Sequence, residues 1–146
     1  MTTLAAPPTG RLQLALNVGD LEAAIAFYTK LFGTEPAKVR DGYASFAIAE
    51  PPLKLVLFAG VGEPGTLNHL GVEVADAAQV SAAEQRLAAD GLDTTGVAET
   101  ECCYAAKTET WVTDPDGARW EWYVKSGDVE HTENVVVGDR GATCCG

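Results

Sequence analysis

The sequence predicts an α+β domain made of two copies of a βαβββ motif, and three observations support this. Residues 14–20 and 70–76 both alternate apolar residues with others and end on Asp, at an offset of 56 residues. A helical pattern follows each of these Asp residues and stops at a glycine. Three strand-like runs then follow each helix. A repeat of this length fixes the architecture better than local propensity does, because each copy must fold into the same unit.

The first copy opens with a strand that places Gln13, Ala15 and Asn17 on one face, because successive side chains point to opposite sides. Asp20 is suited to cap the following helix, and Gly33 is suited to end it. The predicted elements are a strand at 12–18, a helix at 21–32 and strands near 35–39, 43–49 and 53–58.

The second copy repeats this order after a strand at 69–74. A helix is predicted at 79–90, with Gly91 as its stop, followed by strands near 93–98, 104–113 and 119–124. The sequence Asp-Pro-Asp-Gly at 114–117 is a strong turn between the last two strands. We therefore expect one domain at 11–125, with module one at about 11–60 and module two at about 66–125. Residues 1–10 are predicted to be a disordered N-terminus and 126–146 a flexible tail that carries a Cys pair.

Composition restricts the partners. The chain has 146 residues, 47% of them hydrophobic, which suffices for one core. Ten basic residues against 21 acidic ones give a net charge of −11, which disfavours binding to nucleic acid and to anionic membranes. No apolar run approaches the roughly 20 residues of a membrane helix, and the N-terminus does not resemble a signal peptide. We expect a cytoplasmic protein.

Strand alternation predicts a divalent-metal site formed by Gln13, His69 and Glu121, on the sheet face away from the helices. The offset of 56 brings Gln13 and His69 to equivalent positions in the two copies. Lys54 is the rough counterpart of Glu121 in the first copy, and an ammonium cannot bind a metal ion. Three protein ligands with open positions are typical of a catalytic site rather than a structural one.

The four cysteines form two adjacent pairs, Cys102-Cys103 and Cys144-Cys145. In a reducing compartment such pairs favour soft-metal or redox chemistry over disulfides, although two chance doublets are the alternative. Neighbours in a regular strand point to opposite faces, so binding by both Cys102 and Cys103 requires a loop or bulge there. Residues 96–103 are accordingly predicted to be mobile when empty. The tail pair either passes a soft ligand inward or is dispensable.

These features resemble the vicinal-oxygen-chelate superfamily. The resemblance covers about residues 11–125 and rests on the paired motifs, the turn at 114–117 and Glu121 four positions after Gly117. That superfamily includes glyoxalase I, extradiol dioxygenases, fosfomycin-resistance proteins and bleomycin-binding proteins. Segments 27–39, 50–55, 68–72 and 102–105 more narrowly resemble the carbon–arsenic lyases, a branch once grouped with cadmium-induced proteins.

The resemblance implies an Fe(II)-dependent dioxygenase that uses O₂ to cleave the C–As bond of trivalent methyl or aromatic arsenicals and releases arsenite. It implies Gln13, His69 and Glu121 as metal ligands and Cys102 and Cys103 as the arsenic-binding thiols. Another divalent metal is expected to occupy the site in some preparations. The chemistry agrees independently, because an arsenical R–As(III) has two exchangeable valences and two thiolates satisfy them.

The sequence leaves two roles open for several residues and more than one function open for the protein. Tyr104 is a candidate for proton transfer or for packing, and Lys54 for steering an anion or for a solvated role. Trp111, Trp120 and Trp122 could line a pocket, but alternation points Trp120 and Trp122 at the helices. The alternative functions are a non-catalytic protein that sequesters arsenic, cadmium or a drug, and a different enzyme such as a glyoxalase or thiol transferase. The oligomeric state, monomer or homodimer, is left open.

Overall fold

The computed structural model describes residues 10–102, 104–130 and 135–136, and it confirms the two βαβββ modules. Module one comprises β1 (Arg11–Val18), α1 (Leu21–Phe32), β2 (Lys38–Arg40), β3 (Tyr43–Ile48) and β4 (Leu53–Ala59). Module two comprises β5 (Leu67–Glu73), α2 (Ala77–Ala89), β6 (Ala98–Cys102), β7 (Ala105–Thr113) and β8 (Arg119–Asp128), and β9 (Val135–Val136) follows it. Neither helix of the described part is long and apolar enough to cross a bilayer.

Both helices begin at an Asp cap. The Asp20 carboxylate accepts a hydrogen bond from the Ala23 amide at 3.0 Å, and Asp76 accepts one from the Gln79 amide at 2.9 Å. Each bond satisfies an amide that has no partner within its helix. Gly33 ends α1 in the left-handed conformation with φ 62°, which a residue without Cβ adopts at little expense.

The strands form one sheet in the order β2-β3-β4-β1-β5-β8-β7-β6-β9. The modules meet where β1 and β5 pair antiparallel, and we call this pairing the seam. In the seam Gln13 is opposite Gly71 and Ala15 is opposite His69. Adding 56 to each residue of module one exchanges these two pairs, so the seam coincides with a pseudo-two-fold axis. The register therefore confirms the repeat offset.

The two faces of the sheet have different roles. Leu14, Leu16 and Val18 of β1 pack with α1 over a core cluster that contains Phe46, Leu55 and Leu57. On the second module, α2 covers β7 and β8, and the Arg86 guanidinium lies 5.7 Å from the centre of the Trp122 ring. The opposite face holds a smaller apolar cluster of Ala15, Tyr43, Val56, Phe58 and Trp111 together with the polar residues described below.

The strand predicted near 93–98 is wrong. Thr94 makes only an isolated bridge to Val112, Gly96 has φ 81°, and the strand instead begins at Ala98. Its register is set by the hairpin with β7, in which Cys102 is opposite Ala105. Local alternation does not carry this information because both segments contain similar polar and small residues.

The predicted tail also differs where the structure describes it. β8 continues four residues past its predicted end at 124, to Asp128, and Val135–Val136 pairs with the edge of β6. An open sheet edge offers unpaired amides and carbonyls to such a segment. The predicted N-terminal segment, up to residue 9, and residues 137–146 lie outside the described residues.

Candidate metal centre

Gln13, His69 and Glu121 converge on the face of the sheet away from the helices, as the alternation predicts. The Nε2 atom of Gln13 is 3.0 Å from Nε2 of His69 and 3.1 Å from Oε1 of Glu121. The distance from His69 Nε2 to Glu121 Oε1 is 3.4 Å. All three side chains are buried, with exposures of 4%, 2% and 0%. One strand from module one and two from module two thus bring together three polar atoms.

This spacing fits a small divalent cation. Ligands about 2.1 Å from a metal lie about 3.0 Å apart at right angles and about 3.4 Å apart at tetrahedral angles. The three measured separations fall within that interval, so the three side chains have the spacing of one face of a coordination polyhedron once the oxygen of Gln13 takes the place of its Nε2. Imidazole, carboxylate and amide are ligands that suit iron, manganese or zinc.

His69 is oriented by a chain of amides. Its Nδ1 lies 2.8 Å from Oδ1 of Asn68, whose Nδ2 donates to Oδ1 of Asn17 at 3.1 Å. Asn17 Nδ2 in turn donates to the Thr66 hydroxyl at 3.0 Å. Because the Asn68 amide oxygen can only accept, His69 Nδ1–H donates this hydrogen bond, and the lone pair of the neutral ring lies on Nε2, the atom that faces the centre. Such partners fix the tautomer of a metal-binding histidine.

Gln13 is held through its other amide atom. The Tyr123 hydroxyl donates a hydrogen bond to Gln13 Oε1, while Nε2 faces His69 and Glu121. A metal would require the oxygen to face the centre, and a half-turn of the amide group achieves this. The Tyr123 hydroxyl then accepts from Nε2, since a hydroxyl both donates and accepts. The Gln13 side chain can therefore act as a metal ligand after one rotation of its amide group.

Glu121 lies in a buried charge cluster with Lys107 and Glu109. Lys107 Nζ donates to Glu121 Oε2 at 2.7 Å and lies 4.0 Å from Glu109 Oε1. Burial by itself would raise the pKa of Glu121, but Lys107, His69 and Glu109 together outweigh it and hold this pKa well below its usual range. Burial would likewise lower the pKa of Lys107, but the two carboxylates leave it raised. Oε2 is thus held by Lys107 while an ionised Oε1 faces the centre.

Glu109 is stabilised as a neutral acid. Burial, with the nearby Glu121 carboxylate adding to it, raises the pKa of Glu109 to about 8. Its oxygens accept hydrogen bonds from the Thr100 hydroxyl at 3.0 Å and from Trp111 Nε1 at 2.5 Å. With one ammonium, one carboxylate and one protonated acid, the cluster is close to neutral at pH 7 and causes little electrostatic repulsion in the core.

The counterpart of Glu121 in module one is Val56, and the assignment of Lys54 to that position is wrong. β1 pairs with β4 so that Ala15 is opposite Val56, and β5 pairs with β8 so that Gly71 is opposite Glu121. Since Ala15 and Gly71 are equivalent under the repeat, so are Val56 and Glu121. Val56 is apolar and cannot bind a metal ion, so the candidate ligands are still Gln13, His69 and Glu121.

A cleft of about 360 Å³, including its open mouth, adjoins the site, although the fully buried Glu121 does not line it. Gln13 and His69 form part of its wall. Its other wall residues include Tyr43, Lys54, Val56, Phe58, Ala105 and Lys125. Trp111 lies behind His69, with the two ring centres 5.2 Å apart. The cleft thus combines the polar centre with an aromatic wall.

The hairpin that carries Cys102 is tied to the opposite edge of the sheet. Lys38 Nζ donates to the Tyr104 carbonyl at 2.7 Å and pairs with Asp128 at 2.5 Å, and Arg40 pairs with Glu130 at 2.9 Å. Tyr104 has φ 61°, and its ring centre is 5.1 Å from that of Tyr43 in the cleft wall. The sheet must curl for these edges to meet.

The predicted thiol sites are only partly described. The backbone of Cys102 ends β6 opposite Ala105, a residue of the cleft wall, so the hairpin end lies at the cleft. Cys103, Cys144 and Cys145 lie outside the described residues. Ala98–Cys102 pairs with β7 as a strand, and the mobility expected of 96–103 in the empty protein stays a prediction.

Sequence reasoning missed the residues that hold the ligands, among them Asn68, Lys107, Glu109 and Tyr123. The signal was present for three of them. Lys107 and Glu109 share a strand face with Ala105 and Trp111, and Tyr123 shares one with Glu121, which puts all three on the inner side. Among the described residues no group of three or more His, Cys, Asp and Glu side chains is placed to hold a metal ion, since the third member of this site is an amide.

Comparison with known proteins agrees with the geometry. The family model described as Glyoxalase/Bleomycin resistance protein/Dioxygenase superfamily matches residues 10–122. A protein of Thermomonospora curvata named trivalent organoarsenical cleaving enzyme is 58% identical over 135 residues, which cover 92% of this chain and 87% of that protein. The cadmium-induced protein CadI of Mycobacterium bovis is 57% identical over 140 residues, covering 92% of each.

Solved structures share the fold at low identity. The Mn(II)-bound glyoxalase from Novosphingobium aromaticivorans superposes with a TM-score of 0.59 at 17% identity, covering 85% of this chain and 42% of that one. At this identity the likeness shows the arrangement of helices and strands.

Proposed function

This chain belongs to the glyoxalase/bleomycin resistance protein/dioxygenase superfamily, and from that premise we propose that it cleaves the carbon–arsenic bond of trivalent organoarsenicals. The observation that carries the proposal is the buried set of Gln13, His69 and Glu121, whose facing atoms have the spacing of metal ligands once the Gln13 amide turns to present its oxygen. The name of the relative that is 58% identical supports the substrate class.

The proposed resident metal is Fe(II), held by Nε2 of His69, Oε1 of Glu121 and the amide oxygen of Gln13. When bound, it would supply the activation of O₂ that oxidative cleavage of a C–As bond requires. The residues around it keep each ligand in its binding form. Asn68 keeps the lone pair of His69 on Nε2, and Lys107 keeps Glu121 ionised.

Cys102 and Cys103 are the proposed arsenic-binding thiols. Each thiol displaces one hydroxyl of R–As(OH)₂ as water, so the arsenical is held by two As–S bonds and keeps its organic group. The hairpin end beside Ala105 adjoins the cleft, which gives proximity between arsenic and the metal ligands. The proposed product is arsenite. We place the reaction in the cytoplasm, where reducing conditions keep both thiols free.

The test uses the full chain reconstituted anaerobically with Fe(II) and incubated with methylarsenite. Admission of air should produce inorganic arsenite, measured by chromatography with arsenic detection. Cys102→Ser, Cys103→Ser and His69→Ala should abolish it, whereas Cys144→Ser, in the predicted tail, serves as the matched control. Arsenical that stays bound to the protein with no oxygen-dependent arsenite would replace the enzyme by a sequestering protein.

A further inference from the structure

Lys54 is a half-buried lysine in the cleft wall, and the main opposite charge acting on it is that of Glu73, which already pairs with Arg11. It lies on β4, opposite Gln13 in the register with β1, and lines the cleft beside the metal centre. Within the described part of the chain, no hydrogen bond or ion pair involves its ammonium group. Burial lowers the pKa of Lys54 to about 8, which still leaves the ammonium as the main form at neutral pH.

The other basic groups around Lys54 are already paired. Lys107 binds Glu121 at 2.7 Å, Lys125 binds Asp128 at 2.7 Å, and Arg11 binds Glu73 at 2.8 Å. Asp128 is shared by Lys125 and Lys38, and Glu73 is shared by Arg11 and the field at Lys54, so the basic groups around the cleft outnumber the ionised carboxylates and Lys54 contributes to that positive excess. This is notable in a chain with a net charge of −11.

A buried ammonium without a partner is unfavourable, because burial removes water that an ion pair would replace. An ordinary surface lysine avoids this by extending its head into solvent. The wall around Lys54 is instead aromatic and aliphatic, with Tyr43, Val56 and Phe58 in the same cleft. A ligand with a flat apolar body and an anionic end would match both features.

We propose that Lys54 forms an anion-binding subsite that selects arsenicals whose aromatic group carries a carboxylate or a similar anionic substituent. The inference rests on the proposed function for the arsenic end of that ligand. The ring lies against Tyr43 and Phe58, and the anionic substituent pairs with the Lys54 ammonium. Lys54 is thus a specificity-determining residue and takes no part in breaking the C–As bond.

The first test needs neither arsenic nor metal. The metal-free full chain is titrated with benzoate and with benzamide, a neutral probe of nearly the same shape, by ligand-observed NMR. Wild type should prefer benzoate by about tenfold, the effect of one charge-assisted hydrogen bond. Lys54→Met should remove the preference and Lys54→Arg should keep it. Lys30→Met, an exposed lysine on α1, is the control for a lost surface charge.

A wild-type protein that binds both probes equally, or a preference that persists in Lys54→Met, overturns the subsite. A second measurement compares the equilibrium binding of a trivalent 4-carboxyphenyl arsenical with that of its phenyl analogue. The ratio of their dissociation constants should fall about tenfold in Lys54→Met. If benzoate preference depends on Lys54 but no C–As cleavage occurs, the proposed function fails and the anion site stands.

Discussion

At the scale of single residues, the site depends on how its buried charges are compensated. Glu121 divides its two oxygens between Lys107 on one side and the atoms of Gln13 and His69 on the other. This division lets a carboxylate with 0% exposure remain ionised in the core. Lys107 is therefore part of the stability of the fold as well as of the metal centre.

Replacing Lys107 with Met should destabilise the protein strongly. The change leaves Glu121 without its cation, and removing one partner of a buried pair costs roughly 3–5 kcal/mol. Urea unfolding at pH 7 measures the free energy of unfolding. Lys125→Met removes one of the two cations that pair with the exposed Asp128 and should change the free energy of unfolding little, so equal losses in the two variants would contradict this account.

The convergence of the three candidate ligands could be predicted from the sequence, whereas the residues that hydrogen-bond to them could not. Period-two alternation and the repeat offset suffice to bring Gln13, His69 and Glu121 together. The equivalence of Val56 with Glu121 can be recognised only from the strand registers, and the spacing of residues along the chain does not reveal these registers. Lys107 likewise lies close to the cysteines along the chain, and only the β7–β8 pairing shows that it binds Glu121.

At the scale of elements, β5 must approach β8 and β1 very closely. A Cβ on Gly71 would lie 2.9 Å from the Glu121 carbonyl oxygen and 3.2 Å from Gln13 Nε2. The first contact is with backbone, which cannot turn aside as the end of a side chain can. The absence of a side chain at Gly71 therefore allows β5 to approach β8 and the side chain of Gln13.

Gly71→Ala should destabilise the protein by roughly 1–3 kcal/mol, the usual effect of overpacking, and should also weaken metal binding by displacing Gln13. Thermal unfolding and titration with Mn(II) measure the two effects. The matched control is Gly127→Ala in β8, where an added Cβ meets nothing within 4 Å and φ is not positive. A Gly71→Ala protein as stable as that control would show that the strands can separate without penalty.

Element boundaries were predictable where the signal is local and failed where the signal comes from a partner strand. Asp20 and Gly33 delimit α1 as expected because capping is a property of the chain itself. β6 was misplaced because its position depends on the hairpin with β7, and β9 was missed because its pairing depends on the open edge of β6.

At the scale of the whole molecule, the metal centre lies across the seam between the modules. Gln13 belongs to module one, whereas His69 and Glu121 belong to module two. An ion bound to all three would link β1, β5 and β8 in the folded state alone. Binding of this kind stabilises the whole chain by mass action.

We expect a divalent metal to raise the melting temperature of the full chain. A concentration 100 times the dissociation constant contributes about 2.7 kcal/mol, or roughly 5–10 °C for a chain of this length. Differential scanning calorimetry with Mn(II), and anaerobically with Fe(II), measures the shift. His69→Ala should unfold at a temperature that no longer depends on metal, and an undiminished shift in that variant would place the ion elsewhere.

The pseudo-two-fold seam has a consequence for direction. The backbone repeats itself across the axis, but the side chains do not. The equivalent of Gln13 is His69, and the equivalent of Val56 is Glu121. A pseudo-symmetric backbone thus surrounds an asymmetric centre, which is polar at Gln13, His69 and Glu121 and apolar at Val56. Val56 lines the cleft on this apolar side, so we expect a substrate to approach the centre from there. Because only module two has a carboxylate at this position, the centre is open in one direction.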